Sequence, residues 1–347
     1  MCPITENASP TGPTDVADAP GEPNATTGGV SGAAGLSAGG KIAFLGPEGT
    51  FTHQALLRLD GGDHHDGVAY ASVTEALDAV RSGDVVAALV PIENSVEGGV
   101  SATLDNLAHT GRLQIRGEVL LEVQFDLCVR PGTGLGDVRR VLTHPHAAAQ
   151  CREWLARTLP GIPVIEGGST AGAAAEVANP DSRFDAAICA AVAGDMYGLD
   201  HVATSIADNT EAVTRFVLVA TPGQVPPTSG TDKTTMVIFM HQDQPGALEA
   251  ILDQFASRGV NLCRLESRPT RTTLGNYCFS IDAEGHLDNA RVAEALKGLH
   301  RTCKDVVFLG SYPRADKVPA TVTPAFTDEQ FEQADAWLAD LRRSGRS

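Results

Sequence analysis

The apolar residues of this chain keep one rhythm as far as residue 221 and another beyond it, and that change limits the possible folds more than any other feature. Up to Thr221, short apolar runs alternate with segments of helical spacing. Strands are predicted at Lys41–Leu45 and near Val68–Val73, Val85–Pro91, Leu113–Val129, Arg140–Thr143, Pro163–Glu166, Ala186–Cys189 and Arg215–Thr221. Helices are predicted between them at Thr50–Leu59, Ser72–Arg81, Pro145–Leu159 and Ala171–Ala178. Such alternation implies an α/β domain over residues 41–221, with helices on both faces of largely parallel sheet. The run Leu113–Arg130 is long enough to pass from one sheet to a second, and Arg215–Thr221 to return, which gives two lobes around a cleft.

Residues 222–232, rich in Pro, Gly and Ser, are expected to be a linker. A compact unit over residues 233–313 follows. Strand Thr234–Met240 leads to a helix over Gly246–Arg258, whose Leu248, Ile251, Leu252 and Phe255 share one face. Strands near Asn261–Ser267 and Tyr277–Ala283, a helix over Asn289–Cys303 and a last strand Val306–Tyr312 complete a βαββαβ order, the α+β ferredoxin-like sandwich. In the tail, residues 314–347, one helix is expected. Thr327 and Gln330 have capping-box spacing, Phe326 and Phe331 can staple across them, and Phe331, Ala334, Leu338 and Leu341 form an apolar stripe expected to dock.

Residues 1–40 hold Glu6, Asp15, Asp18 and Glu22, no Lys or Arg and little to bury, and are expected to form a disordered tail. They show neither the basic start nor the apolar run of a secretory signal. The formal charge of −17 disfavours nucleic acid and anionic membrane as partners, so any anion site must be built locally. Seven dispersed cysteines without a C-x-x-C pair fit reduced thiols in the cytoplasm.

One local design recurs in the first domain: a strand ends, small or hydroxylated residues follow, and a helix begins. It occurs at Gly46-Pro47-Glu48-Gly49-Thr50, Pro91-Ile92-Glu93-Asn94-Ser95, Thr143-His144-Pro145 and Gly167-Gly168-Ser169-Thr170. In parallel sheet these loops gather at the ligand-binding edge, where free N–H groups favour a carboxylate or phosphate. Each loop alone is also ordinary N-cap and turn chemistry. Arg215, inside the apolar run Val213–Val219, needs a partner, and either a bound anion or a structural Asp or Glu would serve. The Asp63-His64-His65-Asp66 run matches no metal-ligand spacing and is better read as a solvated loop. Neither nucleotide-binding glycine motif is present. Cys151, within a helical segment, is better placed as a small buried residue than as a nucleophile.

Gly46-Pro47-Glu48-Gly49-Thr50-Phe51, Pro91-Ile92-Glu93-Asn94-Ser95, His144-Pro145 with Gln150-Cys151, and Thr214-Arg215-Phe216 resemble the ordered motifs of prephenate dehydratases. Gly246-Ala247-Leu248 and Glu266-Ser267-Arg268-Pro269 resemble those of the family's ACT domain, so that the resemblance runs from about Lys41 to Pro313. Two positions depart from the common pattern: Thr143-His144-Pro145-His146 stands where Ser-His-Pro-Gln is usual, and Cys263 where Ser or Thr is usual. The resemblance implies a two-lobed, periplasmic-binding-protein-like catalytic domain followed by a regulatory one, without a chorismate mutase. It implies decarboxylating dehydration of prephenate to phenylpyruvate, with no metal or other cofactor. Thr214 is implied as the catalytic threonine, and Glu93 as a proton donor or a structural acceptor. Arg215 is implied to hold a substrate carboxylate, alongside Thr50, Asn94, Ser95, Ser169, Thr170 and Phe216. Gly246, Ala247, Leu248, Glu266, Ser267, Arg268 and Pro269 are implied to bind L-phenylalanine, in a homodimer or homotetramer. A solute-binding protein shares the cleft but normally needs export, and the motifs separate prephenate from arogenate poorly.

Overall fold

The structure, a computed structural model, describes residues 36, 39–59, 65–111, 113–270 and 277–345. The tail expected over residues 1–40 lies almost wholly outside them, as do Asp63 and His64. Of the rest of that histidine run, the His65 ring hydrogen-bonds the Gly40 carbonyl at 2.8 Å and Asp66 opens a strand, so neither is poised for metal. Among the described residues no His, Cys, Asp or Glu cluster suits a metal ion, and no helix is long and apolar enough to cross a membrane.

The first lobe runs β1 (Lys41–Leu45), α1 (Phe51–Leu57), β2 (Asp66–Tyr70), α2 (Val73–Ser82), β3 (Ala87–Asn94), β4 (Gly98–Gly99), α3 (Ser101–His109) and β5 (Gln114–Glu122). Two of its helices begin where a hydroxyl can take up an unpaired amide: Thr50 accepts from His53 N–H ahead of α1, and Ser72 from Glu75 N–H ahead of α2. The second lobe holds β6 (Asp126–Val129), β7 (Val141–Thr143), α4 (Pro145–Gln150), α5 (Arg152–Thr158), β8 (Val164–Glu166), α6 (Thr170–Ala178), β9 (Ala186–Cys189), α7 (Ala191–Met196) and β10 (Asp200–Ala203). The chain then returns to the first lobe as β11 (Val213–Ala220). The crossings run side by side, tied by Val123 N–H to Ala212 O at 2.7 Å and Ile206 N–H to Phe125 O at 2.8 Å.

The lobes have strand orders β2-β1-β3-β11-β5 and β10-β6-β9-β7-β8, with β4 paired to the end of β3. The expectation of largely parallel sheet needs correction. Only β1–β2, β1–β3, β7–β8 and β7–β9 are parallel. The strands that carry the chain between lobes enter antiparallel, because one of them leaves where the other arrives.

Beyond the linker come β12 (Asp232–Phe239), α8 (Ala247–Ala256), β13 (Leu262–Pro269), β14 (Tyr277–Glu284), α9 (Ala290–Thr302) and β15 (Asp305–Pro313). They form an antiparallel sheet of order β13-β14-β12-β15. Met236, Ile238 and Ile281 face the two helices and pack on Ile251, Phe255, Val292 and Leu299. Val237, Cys278, Leu309 and Tyr312 face the other way and share one core with Leu77, Leu104 and Leu107 of α2 and α3. The regulatory-type sheet therefore closes the rear face of the first lobe, the face opposite α1, whose own core holds Phe44, Leu56, Leu89 and Phe216.

The last helix, α10 (Asp328–Ser344), forms, but the capping box does not: Thr327 makes no side-chain cap bond. The apolar stripe does not dock either, since α10 has no buried residue and Leu338 and Leu341 are exposed. The helix is held instead at its first turn, where Asp328 accepts from Ala290 N–H at 2.7 Å and Asn289 Nδ2 at 3.0 Å and so caps α9.

The second lobe has a titratable pin. His201 of β10 lies between Asp126 of β6 (2.8 Å) and Asp195 of α7 (3.1 Å). Burial alone would lower its pKa, but the hydrogen bond to Asp126, with Cys128 and Asp195 nearby, holds it above the ordinary value. A raised folded value means stability fully present below the unfolded pKa of about 6.5 and lost as pH rises through the folded one. His201→Gln should therefore cost more stability at about pH 6 than at about pH 8. Urea midpoints of parent and variant at both pH values check this; equal losses would remove the pin.

Candidate active site between the lobes

Thr214, the second residue of β11, lies directly opposite Asn94, the last residue of β3. Asn94 Oδ1 accepts from Val96 N–H at 2.8 Å and Glu97 N–H at 3.2 Å, which fixes the amide's orientation and turns its nitrogen toward Thr214. Nδ2 then donates to Thr214 Oγ1 at 2.7 Å. With its oxygen occupied as an acceptor, the threonine hydroxyl has its hydrogen left to give. Ser95 ties the same corner together: its N–H donates to Val213 O at 2.9 Å and its Oγ accepts from Val213 N–H at 3.0 Å.

The Gly46–Thr50 loop is built from its own residues. Thr50 Oγ1 donates to Leu45 O at 3.1 Å, and Gly49 N–H donates to the His53 ring at 3.0 Å. Gly49 has φ +81°, and a Cβ there would lie 3.2 Å from Ala193 and 3.4 Å from Ala171, the opening turns of α7 and α6. This loop is thus where the first lobe meets the second. Ser169 caps α6 by accepting from Gly172 N–H at 2.9 Å, with Thr170 as the first helical residue. A second contact across the cleft joins Glu97 to His146 at 2.5 Å. His146, the departure in the third motif, thus meets a carboxylate of the opposite lobe. Thr143 donates its hydroxyl to Ile188 O at 2.7 Å inside the second lobe's core. Burial, with Asp208 nearby, pushes the Cys151 thiol up to about 12, which disqualifies it as a nucleophile.

Arg215, Glu93 and Phe216 depart from the expectations for them. Between β3 and β11 the register slips, with Arg215 opposite Glu93 but Phe216 opposite Pro91. The bulge at Ile92 sets Arg215 and Glu93 on the rear face, while Thr214 and Asn94 keep the front. Arg215, 5% exposed, donates to Glu118 at 2.6 Å, Asp282 at 2.5 Å, Glu93 at 3.4 Å and the Tyr312 hydroxyl at 2.8 Å. The structural-carboxylate alternative is the one realised: four of the five guanidinium N–H donors are taken by protein groups, and the side chain is buried away from the cleft. Glu93 is the acceptor of that ion pair, on the opposite face of the sheet from Thr214's hydroxyl. Phe216 is core, packed on α1.

In the rear domain, Gly246 (φ +85°) precedes α8, and Gly246 and Leu248 line a concavity of about 820 Å³ together with Leu252, Met240 and Phe279; Ala247, the first residue of α8, does not line it. Strand alternation divides the Glu266–Pro269 segment. Ser267 pairs with Phe279 and shares its helix-side face, with Pro269 two residues on. Glu266 and Arg268 face the first lobe. Arg268 makes paired 3.1 Å bonds to Asp105 of α3, and the Glu266 carboxylate rests on Gly99 of β4. None of the four residues Glu266–Pro269 lines the concavity, although Ser267 lies beside Phe279, which does.

A polar cluster that sequence reasoning missed joins the domains: Glu118, Lys233, Arg264, Asp282 and Tyr312, all buried. The sequence carried little signal for it, since β5, β12 and β13 hold other polar residues that do not join the cluster, such as Arg116, Glu122, Thr234 and Arg268. Burial opposes the charge of Asp282, but Arg215 and Arg264 hold its carboxyl far below the usual range; Arg215 and Lys233 do the same for Glu118.

A family model described as prephenate dehydratase matches residues 42–224, and one described as ACT domain matches residues 235–301. The prephenate dehydratase of Mycobacteroides abscessus is 46% identical over 308 residues, spanning 87% of this chain and 98% of the relative. The chain belongs to the prephenate dehydratase family. The prephenate dehydratase of Arthrobacter aurescens, solved in complex with L-Phe, superposes with a TM-score of 0.83 at 50% identity, over 87% of this chain and 99% of that one. GqqA, described as a novel type of quorum quenching acylase, superposes at 0.71 with 31% identity over 79% of this chain and 97% of its own. The prephenate dehydratase fold by itself therefore does not decide the chemistry.

The tight loop gives a test of the lobe contact. Gly49→Ala should cost about 1–2 kcal/mol for its left-handed backbone, plus the crowding of Ala171 and Ala193. Gly83→Ala, at φ +82° with nothing within 4 Å, should cost the backbone part alone. Urea unfolding compares the two; equal losses would mean that the lobes do not press on Gly49.

Proposed function

We propose that this chain catalyses the decarboxylating dehydration of prephenate to phenylpyruvate in L-phenylalanine biosynthesis, under feedback control by L-phenylalanine. The observation that carries the reading is the Asn94–Thr214 bond, which leaves Thr214's hydroxyl proton directed away from Asn94. In the reaction the bond between ring and carboxylate breaks to release carbon dioxide. Its electron pair enters the ring, and the ring hydroxyl leaves as water, taking up one proton. Aromatisation drives both cleavages, so this chain's residues need only orient a dicarboxylate and stabilise the departing oxygen. A threonine is too weak an acid to give up its proton outright at neutral pH, so Thr214 serves as a hydrogen-bond donor to that oxygen. Ser95 and Ser169 each accept a backbone N–H and keep a hydroxyl proton for the substrate. Thr170 and the free amides of α6 supply further donors to a carboxylate. Asn94 and Thr50 hold their loops in shape. No cofactor is assigned.

L-phenylalanine is assigned to the concavity lined by Gly246 and Leu248, next to Ala247 and on the sheet face that carries Ser267 and Pro269. The relative from Arthrobacter aurescens, solved in complex with L-Phe, supports L-phenylalanine as the ligand. A homodimer or homotetramer in the cytoplasm is the form we assign to the working enzyme.

Incubated with prephenate, the purified protein should release phenylpyruvate; preferential conversion of arogenate to phenylalanine would reassign the substrate. Thr214→Ala should lower kcat by roughly 10²–10³, as loss of a preorganised donor does, and Thr214→Ser should restore much of it. Near-parental turnover in the alanine variant would remove Thr214 from the mechanism. Gly246→Val forces a branched residue into a left-handed conformation beside the concavity and should abolish L-phenylalanine binding in a calorimetric titration. Unchanged binding would place the effector elsewhere.

A further inference from the structure

We propose that Asp282, a residue of the regulatory sheet, is a positioning residue for catalysis: through Arg215 it holds the Thr214–Asn94 pair in register. The proposal rests on the dehydratase reading and adds a component to that site. Two side-chain pairs cross neighbouring rungs of the β3–β11 ladder, on opposite faces of the sheet. Asn94 and Thr214 bond at 2.7 Å on the front, and Glu93 and Arg215 pair at 3.4 Å on the rear. The residues are consecutive on each strand, so a shift of the rear pair rotates the peptides that carry the front pair. The two rungs sit at the Ile92 bulge, where ladder hydrogen bonds are interrupted and side chains must fix the backbone.

The rear pair is held from the regulatory sheet. Asp282, fully buried, accepts from Arg215, from Arg264 Nε at 2.9 Å and from the Thr235 hydroxyl at 2.8 Å. Tyr312, also fully buried, accepts from Arg215 and bonds to Thr235 at 2.6 Å. A guanidinium held by several fixed acceptors has one allowed orientation, which an ammonium on a flexible stem would not have. A displacement near 1 Å at a reacting group can cost about 10² in rate. The donor acts mainly in the transition state, so the loss should fall on kcat and leave KM nearly unchanged.

The test uses the full chain. Turnover of prephenate by the parent is measured first, and its absence would overturn the dehydratase reading itself. Asp282→Asn and Tyr312→Phe are then assayed well below their own thermal midpoints, alone and combined with Thr214→Ala. Asp282→Asn should lower kcat by roughly 10–100-fold and Tyr312→Phe by a smaller factor, with KM within a few-fold of the parent. In the Thr214→Ala background neither should lower kcat further, because the group they position is gone. If the variants lose only thermal stability, or lower kcat by the same factor with and without Thr214, the proposal is overturned. Should Asp282→Asn fail to fold, Tyr312→Phe, which removes one hydroxyl and no charge, decides alone.

Discussion

Everything in this molecule is arranged around one guanidinium. Arg215 is buried where two sheets meet, the first lobe's and the regulatory one, at the strand step beneath the cleft. Taking ions out of water costs several kcal/mol each, and their attraction compensates only where geometry and hydrogen bonding are nearly complete. Here Arg215, Lys233 and Arg264 stand against Glu118, Asp282 and Glu93, with Lys233 at 3.1 Å from both Glu118 oxygens and Tyr312 and Thr235 adding hydroxyl partners, while Arg264 Nη1 has no hydrogen bond and lies 3.7 Å from Glu266. Such a cluster adds little net stability over an apolar core, but it tolerates few alternative arrangements. Removing one member leaves an uncompensated buried charge, typically at a cost of about 3–5 kcal/mol.

The same burial explains the composition of the third sheet. A ferredoxin-like unit usually covers one face with helices and leaves the other wet, but β12 is buried along nearly its whole length. Val237, Leu309 and Tyr312 extend the first lobe's core, and the close approach of Gly310 to the Ile115 carbonyl shows how tightly the bodies fit. A regulatory domain packed this way cannot shift without disturbing β5 and β11. That is a physical basis for a ligand at α8 to be felt at Thr214: it must favour one packing of this interface over another.

Much of this was legible in the sequence, and the parts that were not have physical reasons. Local signals carried the elements: Ser72 and Ser169 cap where the hydroxyls said helices begin, and Gly83 ends α2 with a left-handed residue. Strand direction was not legible, because β5 and β11 read as apolar runs whichever way their neighbours point. The motif residues also carry no label for the face they occupy. Thr214 and Arg215 are adjacent letters with opposite surroundings, and only the partner across the ladder, together with the bulge at Ile92, assigns each to cleft or interface. The stripe on α10 misled because amphipathic spacing states that a face could be covered, whereas Asp328 and Phe326 fasten the helix by its first turn.

Strand β13 sorts its residues by parity: Arg264, Glu266 and Arg268 toward the lobe, Leu265, Ser267 and Pro269 toward the helices. Insertion or deletion of a single residue upstream within the strand would exchange the two sets. Carboxylate and guanidinium would then confront α8, and Leu265 and Ser267 would face Asp105 and Gly99. Substitutions in this segment can be absorbed one side at a time, but a change of length alters both at once. Homologous chains should therefore vary in β13 by replacement while keeping its residue count, with gaps confined to the connections at either end.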